Sequence, residues 1–491
     1  MILNLVLSLA AGALLVSLYP SLHWSVLAPV ALVPLLVAVA REQRPAFRFM
    51  FGYAAGLVYW SGVCYWIRWV LEVHGGMGLW GSYGAFGLFV LAKALHMGAF
   101  AWLAGAAMRR WYAIPVVAAL WVVVERSHGP LGFAWLTLGD AATGMSVPMR
   151  LAPYAGVYGI SFLIASMNVA IALVALRRKR KDLAWILAAP LLYLLPPLPE
   201  AIPGNQDAVI VQPNLSTTER WTSDSINEAQ QRLALLSMRS ALAVGQQHPR
   251  LILWPEIPMP LYYYEDVRFR ELVTKLAQTT GAGVLFGAVG RTSAGAPLNS
   301  AILVDERGNY TGRYDKMFLV PFGEYVPPFF GFVNRITQEA GDFTPGKNLT
   351  VLRAAGRSAG VFICYESAFP YLVRRFPAEG AEMLVNLSND GYFGRSAARE
   401  QHLLLVRMRA AENRRWILRA TNDGLTATID PSGRVAHELP PNAELSARTS
   451  YSYVSARTVY TNYGDWFVWL CAAIALAAII ERQIPRYHPP R

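Results

Sequence analysis

GVFICYE, residues 360–366, is an apolar run that ends in a thiol, a phenol and a carboxylate. Its branched and aromatic residues read as a strand. Cys364 then falls where the strand gives way to a loop, and functional groups in α/β domains collect at such ends. A buried cysteine is by default a small hydrophobe. Two features weigh against that default. The other two cysteines, Cys64 and Cys471, lie in long apolar stretches, so Cys364 has no pairing partner in its own region. Glu366 stands two residues on, and a carboxylate there points to a polar site.

Outward from this strand, residues 207–455 alternate short β-rich runs with amphipathic helices. DAVIVQPN (207–214), LILWPE (251–256), GVLFGAVG (283–290) and MLVNLSND (383–390) read as strands, and SAILVDERGNYTGRYDK (300–316) as a pair turning at Arg307-Gly308-Asn309. Residues 226–246, 269–280 and 398–415 read as helices. The pattern predicts an α/β domain of layered sheets. Two more strand ends carry charge: Glu256 closes LILWPE, and Lys316 sits in RYDKMFLVPFGEYVP (313–327). Each alone reads as a surface residue. Together with Cys364 they make a chemical set. A thiolate attacks a carbonyl, a carboxylate takes the thiol proton, and an ammonium stabilises the oxyanion.

The rest of the chain is of another kind. Of 491 residues, 54% are hydrophobic and 15% charged, with 15 Trp and 23 Tyr, and the mean hydropathy is +0.30. Soluble domains carry about 25% charged residues, so this balance indicates a membrane protein. The net charge of +12 is spread as short clusters between apolar runs, which argues against a nucleic-acid partner. Eight apolar stretches qualify as spans: 2–19, 23–40, 50–70, 78–106, 112–125, 153–176, 183–199 and 463–480. Arg41, Arg44, Arg48, Arg109, Arg110, the RRKRK run at 177–181 and Arg482, Arg486 and Arg491 all fall in alternate loops. The positive-inside rule makes that side, with both termini, cytoplasmic. The domain between the seventh and eighth spans then faces outward. Lys93 lies inside the fourth span, either as a lipid-headgroup contact or as a helix-paired lysine. No cysteine or histidine spacing suits a metal.

The order Glu256, Lys316, Cys364, with WPE, YDKMFLVPFGEYVP, CYE and NLSNDGYFG (386–394) around them, resembles the nitrilase superfamily. A domain of that kind between the seventh and eighth of eight spans is similar to the apolipoprotein N-acyltransferase family of the bacterial inner membrane, and PLGFAWLTLGDAATG (130–144) matches a loop of that family. The resemblance implies an eight-helix transmembrane bundle plus an αββα sandwich. Residues 1–200 would hold seven spans, 207–455 the periplasmic catalytic domain and 460–482 the last span. It implies Glu256 as general base, Lys316 as oxyanion stabiliser and Cys364 as nucleophile. Glu324 would support Lys316, Tyr365 and Glu366 would follow the nucleophile, and the Tyr365 N–H would be a second oxyanion donor. Trp221 in NLSTTERW (214–221) would contact substrate or simply pack. No cofactor is implied. The implied partners are membrane lipid, with a phospholipid acyl donor such as phosphatidylethanolamine, and a diacylglyceryl apolipoprotein acceptor, joined through a thioester on Cys364. The composition of residues 321–346, rich in Phe, Pro and Gly, suits an apolar lid or a membrane-dipping arm, the alternative being an ordinary surface loop.

Other readings use the same residues. A membrane-tethered amidase would pass the acyl group to water, and a related acyltransferase would use another amine. A transporter with a degenerate outer domain would need the three residues to be idle.

Overall fold

The computed structural model describes residues 1–218, 220–243, 248–321, 323–325, 343–354 and 356–483. The predicted lid at 321–346 lies mostly outside them. The chain divides into two compact units. One holds Met1–Tyr65, Gly84–Pro197 and Tyr463–Arg491; the other holds Trp66–Tyr83 and Leu198–Asn462.

The first unit is helical: α1 (Ile2–Ser17), α2 (Val33–Arg41), α3 (Pro45–Val63), most of α5 (Gly78–Ala107), α6 (Ala113–Ser127), α7 (Ala152–Ala175) and a terminal helix, Trp466–Gln483. Helix α4 (Trp66–Val73) belongs to the second unit. Among the described residues two helices, Gly78–Ala107 and Pro148–Ala175, are long and apolar enough to cross a bilayer, and Ile2–Ser17 and Trp466–Glu481 are shorter apolar helices. Three of the eight predicted spans therefore take a different form. Residues 23–40 split into a 3₁₀ turn, Ser25–Leu27, and the nine residues of α2. Residues 50–70 break after Val63, and the short α4 that follows carries Arg68 and Glu72, an ion pair one helical turn apart. Residues 183–199 form no α-helix. A 3₁₀ run over Arg180–Leu194 contains Pro190, and Pro196, Pro197 and Pro199 follow. Each proline removes an N–H donor that an α-helix needs. Lys93 is a helix-paired lysine. Its Nζ lies 2.7 Å from His128 Nδ1, donates to the Phe133 carbonyl at 2.9 Å and sits 4.7 Å from the Trp60 ring centre.

The second unit contains two six-stranded sheets. The first joins β1 (Gln206–Gln212), β2 (Leu251–Leu253), β3 (Gly283–Arg291), β4 (Pro297–Val304) and β5 (Tyr310–Asp315). The second joins β6 (Val351–Ala354), β7 (Arg357–Ile363), β8 (Met383–Ser388), β9 (Ile417–Thr421), β10 (Ala427–Ile429) and β11 (Val435–Glu438). The last strand, β12 (Leu445–Tyr451), returns to the first sheet beside β1. Strands β1, β2 and β3 pair in parallel, as do β7, β8 and β9, and every other pairing is antiparallel.

Strand periodicity explains the layering. Val209 and Val211 of β1, with Ile252 of β2, face helices α8 (Ser223–Ala241) and α9 (Val267–Thr280) in one core with Leu233, Phe269 and Leu276. The opposite face meets the second sheet, where Thr428 and Thr449 hydroxyls pair at 2.8 Å. On the far side of the second sheet Gly360 of β7 abuts Phe376, leaving no room for a side chain. The helices there are the single turns α10 (Pro370–Val373) and α11 (Arg375–Ala378) and the longer α12 (Ala398–Asn413). The result is the expected αββα sandwich.

Candidate active site

All three predicted side chains come just after strand ends, Glu256 and Cys364 after the inner strands β2 and β7 and Lys316 after the edge strand β5. Glu256 leaves β2 by way of Trp254 and Pro255. Its turn lies against β3 at Gly287, where a Cβ would stand 2.6 Å from both Glu256 Cα and Ile257 N, so only glycine lets the backbones approach this closely. Lys316 follows β5, and its N–H donates to the Asn299 carbonyl at 2.8 Å. Cys364 follows β7 and adopts a left-handed conformation, φ +49°. That geometry costs a non-glycine residue about 1–2 kcal/mol and turns the chain sharply at the thiol.

Lys316 is the electrostatic centre. It is 1% exposed and lies 2.9 Å from both Glu256 Oε1 and Glu324 Oε2. Asn299 Nδ2 donates to the same two carboxylates, at 2.7 and 2.6 Å. The Asn389 N–H reaches Glu256 Oε2 at 3.0 Å and the Val320 N–H reaches Glu324 Oε2 at 2.8 Å. Burial alone would lower the Lys316 pKa, but the two carboxylates hold it well above the usual lysine value. The ammonium is thus permanently charged.

Cys364 is 8% exposed. Burial pushes its thiol up, and the Glu256 charge adds to that, while Lys316 and a Ser388 hydrogen bond oppose it. The resting residue is therefore a neutral thiol, which needs a base at the moment of attack. Glu256 and Lys316 thus act on the thiol in opposite directions.

Glu366 points elsewhere. Its Oε1 accepts from the Tyr314 hydroxyl and the Met317 N–H, both at 2.7 Å, and its Oε2 accepts from the Ile363 N–H at 2.7 Å. It ties the turn after β7 to the segment after β5, so Cys364 and Lys316 are held in register. Burial pushes this carboxyl up to about 7. Tyr365 is buried and packs edge-on against Phe369 at 5.0 Å, and Phe369 stacks on Phe318 at 4.5 Å.

Residues 210–457 match the family model described as carbon-nitrogen hydrolase, and residues 11–170 match the apolipoprotein N-acyltransferase N-terminal domain. An apolipoprotein N-acyltransferase of Geobacter metallireducens is 32% identical, over 98% of this chain and 96% of that one. One of Methylococcus capsulatus is 31% identical, over the same shares. The chain belongs to the apolipoprotein N-acyltransferase family. Solved structures similar to it include Nit3 of Saccharomyces cerevisiae, a nitrilase-superfamily member, at 18% identity and a TM-score of 0.40, over 50% of this chain and 89% of that one.

For a member of the apolipoprotein N-acyltransferase family, two further features of the second unit stand out. Trp221 is half-buried and packs against the core beneath α8 and α9. A buried polar network behind the nucleophile went unread in the sequence. His402 of α12 lies with Nε2 3.0 Å from the Cys364 carbonyl and Nδ1 3.1 Å from Asp390 Oδ1. Arg419 Nη2 donates to Asp390 Oδ2 at 2.6 Å, and Ser388 Oγ to Asp390 Oδ1 at 2.7 Å. Burial works against the Asp390 charge, but its polar neighbours, the Arg419 charge foremost, hold its carboxyl well below the usual range. Gly424 makes room for it, since a Cβ there would lie 2.3 Å from Asp390 Oδ2. The loop after Asp390 carries α4: Trp66 packs edge-on against Phe393 at 5.0 Å and His74 against Tyr392 at 4.7 Å.

Proposed function

We propose that the chain transfers a fatty acyl group from a phospholipid to the N-terminal amine of a diacylglyceryl-cysteine lipoprotein, through a thioester on Cys364. The observation that carries this reading is the Lys316 ammonium held between the Glu256 and Glu324 carboxylates, both Glu256 and Lys316 acting electrostatically on the Cys364 thiol. Glu256 removes the thiol proton as Sγ attacks the ester carbonyl. Lys316 and the Tyr365 N–H stabilise the oxyanion. The C–O bond then breaks, the lysophospholipid leaves with the proton from Glu256, and the acyl chain stays on sulfur. The lipoprotein α-amine attacks this thioester, Glu256 takes the amine proton, and the thiol is restored. Glu324 shares Lys316 with Glu256 and keeps the ammonium aimed.

The apolar unit supports a membrane setting, since each CH₂ of an acyl chain costs about 0.8 kcal/mol to expose to water. We place the eight apolar segments, the 3₁₀ run included, in the bacterial inner membrane. Both termini are cytoplasmic and the Leu198–Asn462 unit is periplasmic, as the loop charges require. Phosphatidylethanolamine is the proposed donor.

The test is product analysis. Purified protein is incubated with phosphatidylethanolamine and a diacylglyceryl-cysteine lipopeptide. The expected product is a lipopeptide heavier by one acyl group with a blocked amine. Free fatty acid with an unmodified lipopeptide would replace this reading with the hydrolytic one.

A further inference from the structure

The structure assigns His402 as a positioning residue: by holding the Cys364 carbonyl it aims the Tyr365 N–H at the oxyanion. This rests on Cys364 being the nucleophile. A carbonyl oxygen only accepts, so the 3.0 Å contact with Cys364 O requires a proton on His402 Nε2. Nδ1 then has two neighbours, Asp390 Oδ1 at 3.1 Å and Arg419 Nη2 at 3.3 Å. Burial and the Arg419 charge disfavour the imidazolium and outweigh Asp390 and the Cys364 carbonyl, which favour it, and Nε2 carries its proton in either charge state. In the neutral ring Nδ1 accepts from Arg419, while Asp390 is satisfied by Arg419 and Ser388. The network therefore selects one tautomer, the one that donates to the nucleophile's own carbonyl. His402, Asp390 and Arg419 are all fully buried, and Phe393 packs edge-on against the imidazole at 5.7 Å. The ring has no freedom to turn.

The consequence follows from peptide geometry. The C=O and the next N–H of a trans peptide point in opposite directions. Pinning the Cys364 carbonyl towards α12 turns the Tyr365 N–H away from α12. Cys364 is in the left-handed region, φ +49°, where an L-residue is strained and the peptide would relax if released. His402 touches neither substrate nor sulfur, so its effect is confined to steps that build negative charge on a carbonyl oxygen.

Two reactions of the same thiol separate this role from a general structural one. Thioester formation passes through an oxyanion. Alkylation by iodoacetamide displaces iodide at a saturated carbon and passes through none. We would measure both on the full-length detergent-solubilised protein. Acylation by phosphatidylethanolamine is followed by intact mass, and alkylation at Cys364 by peptide mass. His402→Leu keeps bulk beside Phe393 and cannot donate. His402→Gln can donate to the carbonyl and accept from Arg419. The expected result is acylation slower by about a hundredfold in His402→Leu, the loss usual for one oxyanion donor. Alkylation should stay near the wild-type rate, and acylation should recover in His402→Gln. Equal loss of both reactions, unchanged acylation in His402→Leu, or a folded His402→Gln as slow as His402→Leu would overturn the assignment. Should His402→Leu fail to fold, a folded His402→Gln that acylates a hundredfold slowly overturns it alone. Absence of any acyl adduct on wild-type Cys364 would sink the nucleophile as well, and so is told apart from these outcomes.

Discussion

Lys316 neutralises two carboxylates that are themselves nearly buried, and this has a stability consequence as well as a chemical one. Lys316→Met should abolish thioester formation and also destabilise the domain by about 3–5 kcal/mol, the usual cost of stranding a buried charge. Urea unfolding checks the second half. Wild-type stability together with lost acylation would mean that Glu256 and Glu324 are not jointly held by the lysine. Glu366 gives a pH signature. Burial raises its folded carboxyl to about 7, from an ordinary value of 4.5. A raised folded value means that the folded state binds the proton more tightly, so the associated stability is fully present below about pH 4.5 and is lost as pH rises through 7. The loss is on the order of 3 kcal/mol. Unfolding free energies from pH 5 to 8 should fall more steeply in the wild type than in Glu366→Gln. Parallel curves would mean that the hydrogen-bond donors around this carboxylate outweigh its burial.

At the scale of elements, the site depends on how closely strands can approach. Gly287→Ala would place a methyl group against the backbone of Glu256 and Ile257. If Glu256 is the general base proposed above, shifting it by an ångström can cost about a hundredfold in rate. The variant should fold and acylate that much more slowly, and an unchanged rate would show that the turn yields without moving the carboxylate. The strands that carry Glu256, Lys316 and Cys364 were legible in the sequence because each is a short apolar run ended by a charged or reactive residue. The predicted turn at Arg307-Gly308-Asn309 also falls between β4 and β5, with Gly308 at φ +85°. Other elements were not legible. Strand β12 reads LSARTSY, with too few apolar residues to announce a partner for β1. The segment at 183–199 is apolar enough for a span, but hydropathy is blind to the proline that turns it into a 3₁₀ run. His402, Asp390 and Arg419 lie on three different elements, 12 and 17 residues apart, and only the packing of α12 behind the second sheet brings them together.

At the scale of the molecule, one chain combines a unit built of apolar helices with a unit built of sheets, and α4 shows how they are threaded. It follows α3 directly in sequence yet packs on the loop at 390–394, where Gly394 adopts φ +58° and a Cβ would meet Trp69 Nε1 at 2.7 Å. The proposed topology puts the whole second unit on one side. Protease added to intact spheroplasts should cleave within Leu198–Asn462 and spare a tag on the C-terminus, and cleavage of the tag instead would invert the orientation. The central claim is that Cys364 accepts an acyl chain from a phospholipid, and intact mass spectrometry of the purified protein after incubation with phosphatidylethanolamine tests it most directly. The account predicts a mass gain of one fatty acyl group that hydroxylamine removes and that Cys364→Ser does not show. A folded wild-type protein that gains no such mass, or a serine variant that gains the same hydroxylamine-labile mass, would contradict it.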